Sequence, residues 1–302
     1  MKKTIILILS IVILFSACEF APRDTVAEID GKQITKSEYD FDLENYKNIY
    51  KNNADEEFSK LTEEEAEGQD IILKKGVLEK LVMRKTIEKE FERLGFILDE
   101  KAFEDKKESI IDNLGGNENY KSFLEKNGIS EEFFDESIRE EMMTNMLKDE
   151  FKKSFNPTEE ELENYFNSEA QKLYRYDISI ILVDSEEEAY KIIRSHEDFE
   201  KLAIKYSKEP ISAVNGGKLH GVNPYDLPKE LKNVIYFANL NEFLDPIKAD
   251  DGYYVFRVDK AYTDYESLED VTFDSMFRDN FKKHLEELRD ANNVKVYIDI
   301  TK

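Results

Sequence analysis

The sequence is poor in the residues from which metal sites and covalent cross-links are made. Its 302 residues include one cysteine, Cys18, and three histidines, His196, His220 and His284. One cysteine cannot form a disulfide within the chain, and zinc sites are built mainly from Cys and His side chains. We therefore expect neither a metal site nor a cofactor, and we expect stability to come from packing.

Positive charge is also in deficit. The chain has 43 lysine and arginine residues against 67 aspartate and glutamate residues, a formal net charge of −24. A charge of this sign repels nucleic acid and argues against a polybasic membrane-binding patch, so we predict no nucleic-acid partner. The length allows two or three domains with hydrophobic cores.

Residues 1–17 have the pattern of a secretion signal, with two lysines, an apolar core over 4–15 and small residues at the end. The apolar core is too short for a comfortable transmembrane helix. The tetrapeptide Phe-Ser-Ala-Cys that ends at Cys18 resembles a bacterial lipobox in which phenylalanine replaces the usual leucine. This resemblance implies a chain that is lipidated at Cys18, with residues 18–24 as a tether to the extracytoplasmic face of the cell membrane. An ordinary cleaved signal followed by an incidental cysteine is the alternative.

Much of the remaining chain has helical periodicity. Alternation over 26–29 and a turn at Asp30-Gly31 predict a hairpin, and a capping box over 35–38 then opens a helix. Residues 52–70 are expected to be an acidic connection or a frayed helix end. Residues 293–299 alternate as a strand, which we expect to pair with the strand near Val26, so that both chain ends build one domain; a disordered tail is the alternative. Further helices are predicted at about 71–94, 99–114, 118–127, 130–155 and 268–290. One more is opened by a capping box at Thr158 and continues through Leu162, Tyr165 and Phe166.

The stretch 176–260 differs from the helical remainder. It begins with a short β-branched run over 178–183, which is typical of a buried strand. Helical patterns begin at Ser185 and Asp198, and a loop with the pair Gly216-Gly217 follows. The stretch ends with an Asp-Gly turn and an apolar strand over 253–258.

This order of motifs resembles a parvulin domain, the peptidyl-prolyl isomerase module of PrsA-type and SurA-type foldases. The matching motifs are a strand ending Ile-Leu-Val, Phe-x-x-Leu-Ala-x-x-Tyr-Ser, Gly-Gly-x-Leu, Asp-Pro-Ile and Gly-Tyr-x-Val. A second pattern, Val-Ala-x-Ile-x-Gly-x-x-Ile-Thr-x-x-x-Tyr ending at Tyr39, resembles the N-terminal element of the same foldases. The resemblance implies an α+β protein. A mostly helical chaperone domain, SurA-like and trigger-factor-like, would be built from 25–172 and 264–302, with a parvulin-like β-α-β domain inserted at 173–263.

The sequence departs from this family at the centre of the parvulin site. Ile180 and Tyr254 stand where active relatives usually have histidines, and Pro210 lies near a position often held by cysteine or aspartate. Prolyl isomerisation needs no nucleophile or metal, only tighter binding of the twisted amide than of either planar form. Tyr254, with one hydroxyl, is the candidate catalytic group. By register with the family, a proline cup would have Ile180 and Tyr254 at its floor and walls made of Leu227, Leu231, Tyr236 and Phe237.

These patterns predict a lipid-anchored extracytoplasmic foldase that binds unfolded or nascent secreted polypeptides. Its parvulin domain would be a weak isomerase or would only bind proline-containing segments. A fully active isomerase that uses Tyr254 is the alternative, and a solute-binding lipoprotein is a remote one. We expect the three histidines at the surface and the apolar stripes over 133–147 and 271–288 in the core. The sequence leaves open whether the chain forms a homodimer.

Overall fold

The computed structural model describes residues 24–53 and 62–300. The predictions of a secretion signal and of a lipidated Cys18 fall outside the described residues. Within the described ranges, no helix is both long enough and apolar enough to span a membrane. The chain forms two compact units: one contains the residues before Phe151 and those from His284 onward, and the other is Phe151–Lys283.

Helices dominate both units, and the strands form two small sheets. The helices are α1 (Lys36–Asn53), α2 (Glu63–Arg93), α3 (Glu100–Asn113), α4 (Asn117–Asn127), α5 (Glu131–Ser154), α6 (Glu159–Leu173), α7 (Glu186–Ile193), α8 (Phe199–Tyr206), α9 (Lys229–Ile235) and α10 (Glu269–Ala291). The strands are β1 (Thr25–Ile29), β2 (Lys32–Thr35), β3 (Arg175–Val183), β4 (Lys218–Val222), β5 (Ile247–Ala249), β6 (Gly252–Tyr262) and β7 (Val294–Val296). The predicted α+β class with a predominance of helix is confirmed.

The first unit is built around a three-stranded antiparallel sheet in the order β2-β1-β7. In the central strand, Ala27 pairs with Ile34 of β2 on one side and with Val296 of β7 on the other. The predicted pairing of the terminal strand with the first strand is therefore confirmed, although β7 is shorter than the alternating pattern. The core packs the sheet and α1 against α2 through Val26, Ala27, Ile29, Ile34, Tyr39, Val77, Leu78, Leu81 and Val82.

The helix α2 begins well before the apolar pattern that predicts it. The Thr62 side chain accepts a hydrogen bond from the backbone N–H of Glu65, and the Glu65 carboxylate accepts one from the N–H of Thr62. Residues 62–70 of the acidic interval are thus the capped start of a helix, neither a connection nor a frayed end. Residues 54–61 lie outside the described residues. The first turns of α2 lack an apolar stripe, so hydrophobic periodicity could not detect them.

One arginine of the first unit is buried among carboxylates. Arg84 of α2 donates to Asp42 of α1 at 2.9 Å, and to Glu136 and Glu140 of α5 at 3.2 and 3.1 Å. Asp42 is 1% exposed, and this burial raises the pKa of its carboxyl group, although the charge of Arg84 acts in the opposite direction. The cluster ties three helices together, and its stability depends on the one guanidinium that they share.

The helices predicted from α3 to α6 and at α10 are present, and their ends differ from prediction by a few residues. The apolar stripes of α5 and α10 contain no exposed member, as expected for core residues. Phe133, Ile138 and Leu147 are buried on α5, and Phe277 and Phe281 are buried on α10.

The second unit contains a four-stranded antiparallel sheet in the order β4-β3-β6-β5. Because side chains alternate along a strand, β3 and β6 send one set of residues to each face. On one face Ile180 and Tyr254 pack with Leu231 of α9, and on the other Ile181 and Val255 pack against α7 and α8. The sequence did not predict β4, β5 or α9, because each is only three to seven residues long.

The paired glycines close the loop between α8 and β4 against the sheet. Gly217 has a φ of +79°, and its carbonyl accepts a hydrogen bond from the backbone N–H of Ile180 at 2.8 Å. A Cβ at this position would lie 2.6 Å from the carbonyl oxygen of Ile180, closer than real Cβ contacts. Both the backbone angle and the available space therefore require glycine here.

Candidate functional site

Ile180 and Tyr254 lie on neighbouring strands and face the same side of the sheet. Ile180 of β3 is paired with Phe256 of β6, and Leu182 of β3 is paired with Tyr254. Both side chains belong to one hydrophobic cluster, where Ile180 is 3% exposed and Tyr254 is 4% exposed. The structure thus brings together the two positions at which the parvulin motifs place the centre of the site.

The polar group at this centre is the Tyr254 hydroxyl. It donates a hydrogen bond of 2.7 Å to Oδ2 of Asp251, in the turn between β5 and β6. Burial, the hydrogen bond to Asp251 and the charge of Asp251 raise the pKa of Tyr254 well above its usual value. The hydroxyl hydrogen is therefore committed to Asp251, and the oxygen retains lone pairs that can accept a hydrogen bond from a ligand.

A second carboxylate approaches Tyr254 from the segment that follows α8. The backbone N–H of Lys208 donates to the carbonyl of Leu182, the residue opposite Tyr254 in the sheet, at 2.8 Å. The next residue, Glu209, accepts hydrogen bonds from two backbone N–H groups of its own loop. Its charge is a further cause of the raised pKa of Tyr254. The negative charges of Asp251 and Glu209 therefore both favour the protonated hydroxyl.

Most residues of the expected proline cup belong to one cluster. Ile180, Leu231 and Tyr254 form its buried part, and Leu227 and Tyr236 are partly buried against it. Phe237 is 86% exposed and lies outside the cluster. It follows the end of α9, beyond the face that this helix presents to the sheet, and no sequence signal marks where α9 ends.

Several neighbours of the site are not among the residues predicted from the sequence. Tyr176 lies on the same face of β3 as Ile180 and contacts the Tyr236 ring edge to face, with centroids 6.3 Å apart. Strand alternation alone could have identified Tyr176. Asp251 and Glu209 come from loops whose paths the sequence does not specify. Pro210, the neighbour of Glu209, is exposed.

The histidines lie apart from this centre. His196 and His220 are exposed, as expected, and His284 is half-buried. His220 has its Nδ1 3.4 Å from Oδ2 of Asp177, whose carboxylate also accepts a hydrogen bond from the Tyr262 hydroxyl. His220 lies within β4 and not in the loop that the sequence predicts, and its exposure agrees with a surface role.

The opposite face of the sheet carries a separate cavity. It has a volume of about 170 Å³ and an apolar wall formed by Val183, Ile192 and Leu202. Val183 alternates with Leu182 on β3, so the cavity lies behind the sheet as seen from Ile180 and Tyr254. It is therefore not part of the candidate site.

This arrangement suits the binding of an apolar ring more than polar catalysis. The cluster supplies hydrocarbon side chains and one tyrosine hydroxyl, and that hydroxyl is already bonded to a carboxylate. A twisted prolyl amide is stabilised when groups of the protein interact with it more strongly than with the planar amide. Ile180 provides no hydrogen-bonding atom for that purpose. Stabilisation of the twisted amide must therefore come from the Tyr254 hydroxyl and from the shape of the cluster.

Comparison with known families matches both parts of the chain. Residues 1–148 match the SurA-like N-terminal domain, and residues 182–260 match the PPIC-type PPIase domain. Foldase protein PrsA of Halalkalibacterium halodurans is 29% identical over 136 residues, 44% of this chain and 41% of that protein. Foldase protein PrsA of Clostridium botulinum is 24% identical over an alignment that covers 98% of this chain and 97% of that protein. In several of the alignments the chain spans less than two thirds of the relative, from 37% for a Geobacillus protein to 62% for a Bacillus cereus one.

Among solved structures, foldase protein PrsA of Streptococcus pneumoniae is 21% identical and covers 91% of this chain and 96% of its own, with a TM-score of 0.49. The family matches lie on the N-terminal unit and on the sheet of the second unit, where the sequence motifs are also found. With a SurA-like N-terminal domain and a PPIC-type parvulin domain in one polypeptide, the chain belongs to the PrsA-type parvulin foldase family.

Proposed function

We propose that this chain is a lipid-anchored foldase on the extracytoplasmic face of the membrane, where it binds unfolded or nascent secreted polypeptides. The two family matches and the secretion-signal and lipobox patterns support this proposal. Each sheet is antiparallel and small, unlike the two α/β lobes around a cleft that a solute-binding lipoprotein would need.

The parvulin domain acts as a proline-binding module with weak isomerase activity. The proposal of weak activity is based on the two residues at the centre of the site. Ile180 has a hydrocarbon side chain, and the Tyr254 hydroxyl is already bonded to Asp251. An apolar surface of this kind retains proline while offering little that distinguishes the twisted amide from the planar one.

A protease-coupled assay on short Xaa-Pro peptides tests the isomerase part. We expect the protein to accelerate isomerisation weakly, and the double variant Ile180→His with Tyr254→His to be at least about tenfold faster, because restored imidazoles can hydrogen-bond the twisted amide. A wild-type rate equal to that of a fully active parvulin would instead establish the alternative, a competent isomerase. In that case Tyr254→Phe should abolish the activity if Tyr254 is the catalytic group.

The foldase part is tested by refolding an aggregation-prone secreted protein without ATP. We expect the mature chain to suppress aggregation, and the Ile180→His and Tyr254→His variant to do so equally well. Absence of suppression at a severalfold molar excess would contradict the chaperone assignment.

The anchor is tested in cells by fractionation and by metabolic labelling with a fatty-acid analogue. We expect the wild-type chain in the membrane fraction and labelled. The Cys18→Ala variant should lose the label and leave the membrane, because the other anchoring feature, the signal segment, is too short to remain as a stable span. Retention of Cys18→Ala in the membrane would refute lipid anchoring at this residue.

A further inference from the structure

The sequence contains two Asn-Gly pairs, Asn127-Gly128 and Asn215-Gly216. Asparagine deamidates most readily before glycine, because glycine has no Cβ to hinder attack of its backbone nitrogen on the side-chain amide. The two pairs are therefore comparably reactive in the unfolded chain. A difference between them in the native protein must come from the structure around each pair.

The backbone has nearly the same geometry at the two pairs. Each asparagine is the last residue of a helical segment, Asn127 in α4 and Asn215 in the single turn Ala213–Asn215. The glycine that follows is left-handed in both, with φ of +66° at Gly128 and +68° at Gly216. Its N–H donates to the carbonyl three residues earlier, at 3.1 Å in the first pair and 3.3 Å in the second. The backbone geometry therefore does not favour reaction at one pair over the other.

The two asparagine side chains differ in their surroundings. Asn127 is half-buried, and its Nδ2 donates a hydrogen bond of 2.8 Å to the carbonyl of Phe123. Asn215 is exposed, and its side chain makes no hydrogen bond within residues 24–53 and 62–300. The turn that holds Asn215 has three residues, whereas α4 has eleven, so less ordered structure must open before Asn215 can react. The Asn215 side chain can therefore rotate toward the nitrogen of Gly216 while water surrounds it.

We propose that Asn215 is a site of spontaneous deamidation in the folded protein, whereas Asn127 is protected. The backbone nitrogen of Gly216 loses its proton and bonds to Cγ of Asn215, and the bond from Cγ to Nδ2 breaks. Nδ2 leaves as ammonia and carries that proton away. Water then opens the cyclic imide at one of its two carbonyl groups, which gives aspartate or isoaspartate at position 215. The only co-reactant is water.

The isoaspartate product alters the loop that closes against β3. It lengthens the main chain by one carbon directly before Gly216, where an added Cβ would already lie 2.8 Å from Cβ of Glu200. The next residue, Gly217, accepts the hydrogen bond from the backbone N–H of Ile180. The longer main chain cannot keep both glycines in these positions, so this hydrogen bond to β3 is weakened in the modified protein.

The test is incubation of the purified protein at mildly alkaline pH, followed by digestion with pepsin at acid pH and mass spectrometry of the two Asn-Gly peptides. We expect deamidation at Asn215 to be at least about tenfold faster than at Asn127, where ring closure must break a hydrogen bond and open the last turn of α4. In urea the two rates should become similar, because the protection of Asn127 is lost on unfolding. Deamidation at Asn215 no faster than at Asn127 in the native protein, or a difference that persists unchanged in urea, would overturn the inference.

The effect on β3 is measured by hydrogen exchange, with Asn215→Gln as the matched control. Glutamine must close a six-membered ring and therefore reacts far more slowly, and the Asn215 side chain has no hydrogen bond for the substitution to break. We expect faster exchange of the Ile180 amide in incubated wild type than in fresh wild type, and no such change in incubated Asn215→Gln. Extensive isoaspartate formation with unchanged exchange at Ile180 would overturn the proposed effect on β3.

Discussion

Replacing Gly217 with alanine is expected to destabilise the sheet of the second unit far more than the same change at Gly221. Both glycines have left-handed backbone angles, with φ of +79° and +61°. Alanine in that region costs about 1–2 kcal/mol at either position. The two sites differ in the space that the added methyl group would meet.

At Gly217 a Cβ would lie 2.6 Å from the carbonyl oxygen of Ile180, 2.9 Å from Cβ of Ala203 and 2.9 Å from the Phe199 ring. The carbonyl oxygen of Ile180 belongs to the backbone, and the Cβ of Ala203 is bonded directly to it. Neither atom can rotate away, so strand β3 itself must shift. Overpacking of this kind costs about 1–3 kcal/mol more. The total is about 2–5 kcal/mol, whereas a Cβ on Gly221 meets nothing within 4 Å and should cost only the backbone part.

Native-state hydrogen exchange of the purified protein is the suitable assay. The chain has no tryptophan, and its two units are expected to unfold separately, so a single optical transition would be hard to assign. We expect Gly217→Ala to lower the opening free energy of β3 and β6 amides, while amides of β1 serve as an internal reference. Equal losses in Gly217→Ala and Gly221→Ala would refute the steric argument.

Three further predictions concern stability. Arg84→Met should destabilise the first unit by about 3–5 kcal/mol, measured by urea unfolding, because it leaves a buried carboxylate without its cation. Lys106, whose side chain is 31% exposed, pairs with Glu141 near the surface, and Lys106→Met should cost under about 1 kcal/mol; similar losses in the two variants would contradict the role of burial. Because burial raises the pKa of Asp42, its contribution to stability is present at acid pH and is lost as the pH rises through the folded-state pKa. As the pH is lowered from about 7 to about 4, the free energy of unfolding of the wild type should therefore increase relative to that of Asp42→Asn. A constant difference between the two proteins would contradict the raised pKa. Thr158→Ala should cost about 1 kcal/mol by removing the reciprocal cap of α6, seen as lower hydrogen-exchange protection of its first turn; unchanged protection would show that the cap is dispensable.

The parts of the fold that the sequence predicts are those with strong local patterns. The capping box at Thr158, the apolar stripe of α5 and the β-branched run of β3 each identify an element from residues close in sequence. The pairing of β1 with β7 was also predictable, because a short alternating strand at the chain end has no local partner. The start of α2 was not predictable, since its first turns are acidic and carry no apolar stripe.

The candidate site was predictable only where it lies on strands. Ile180 and Tyr254 follow from motif register and from alternation along β3 and β6. Phe237, Asp251 and Glu209 lie in or beside loops, and the path of a loop depends on contacts that are remote in sequence. The charge around Tyr254 is therefore a property of the folded chain that no local pattern could reveal.

The central place of β1 in its sheet has a consequence for the order in which the polypeptide can fold. β1 needs a partner that is synthesised more than 260 residues later, since Ala27 pairs with Val296. The segment Phe151–Lys283, by contrast, is continuous and is complete before that partner exists. During synthesis, β1 therefore keeps one strand edge unpaired until Val294–Val296 has been made.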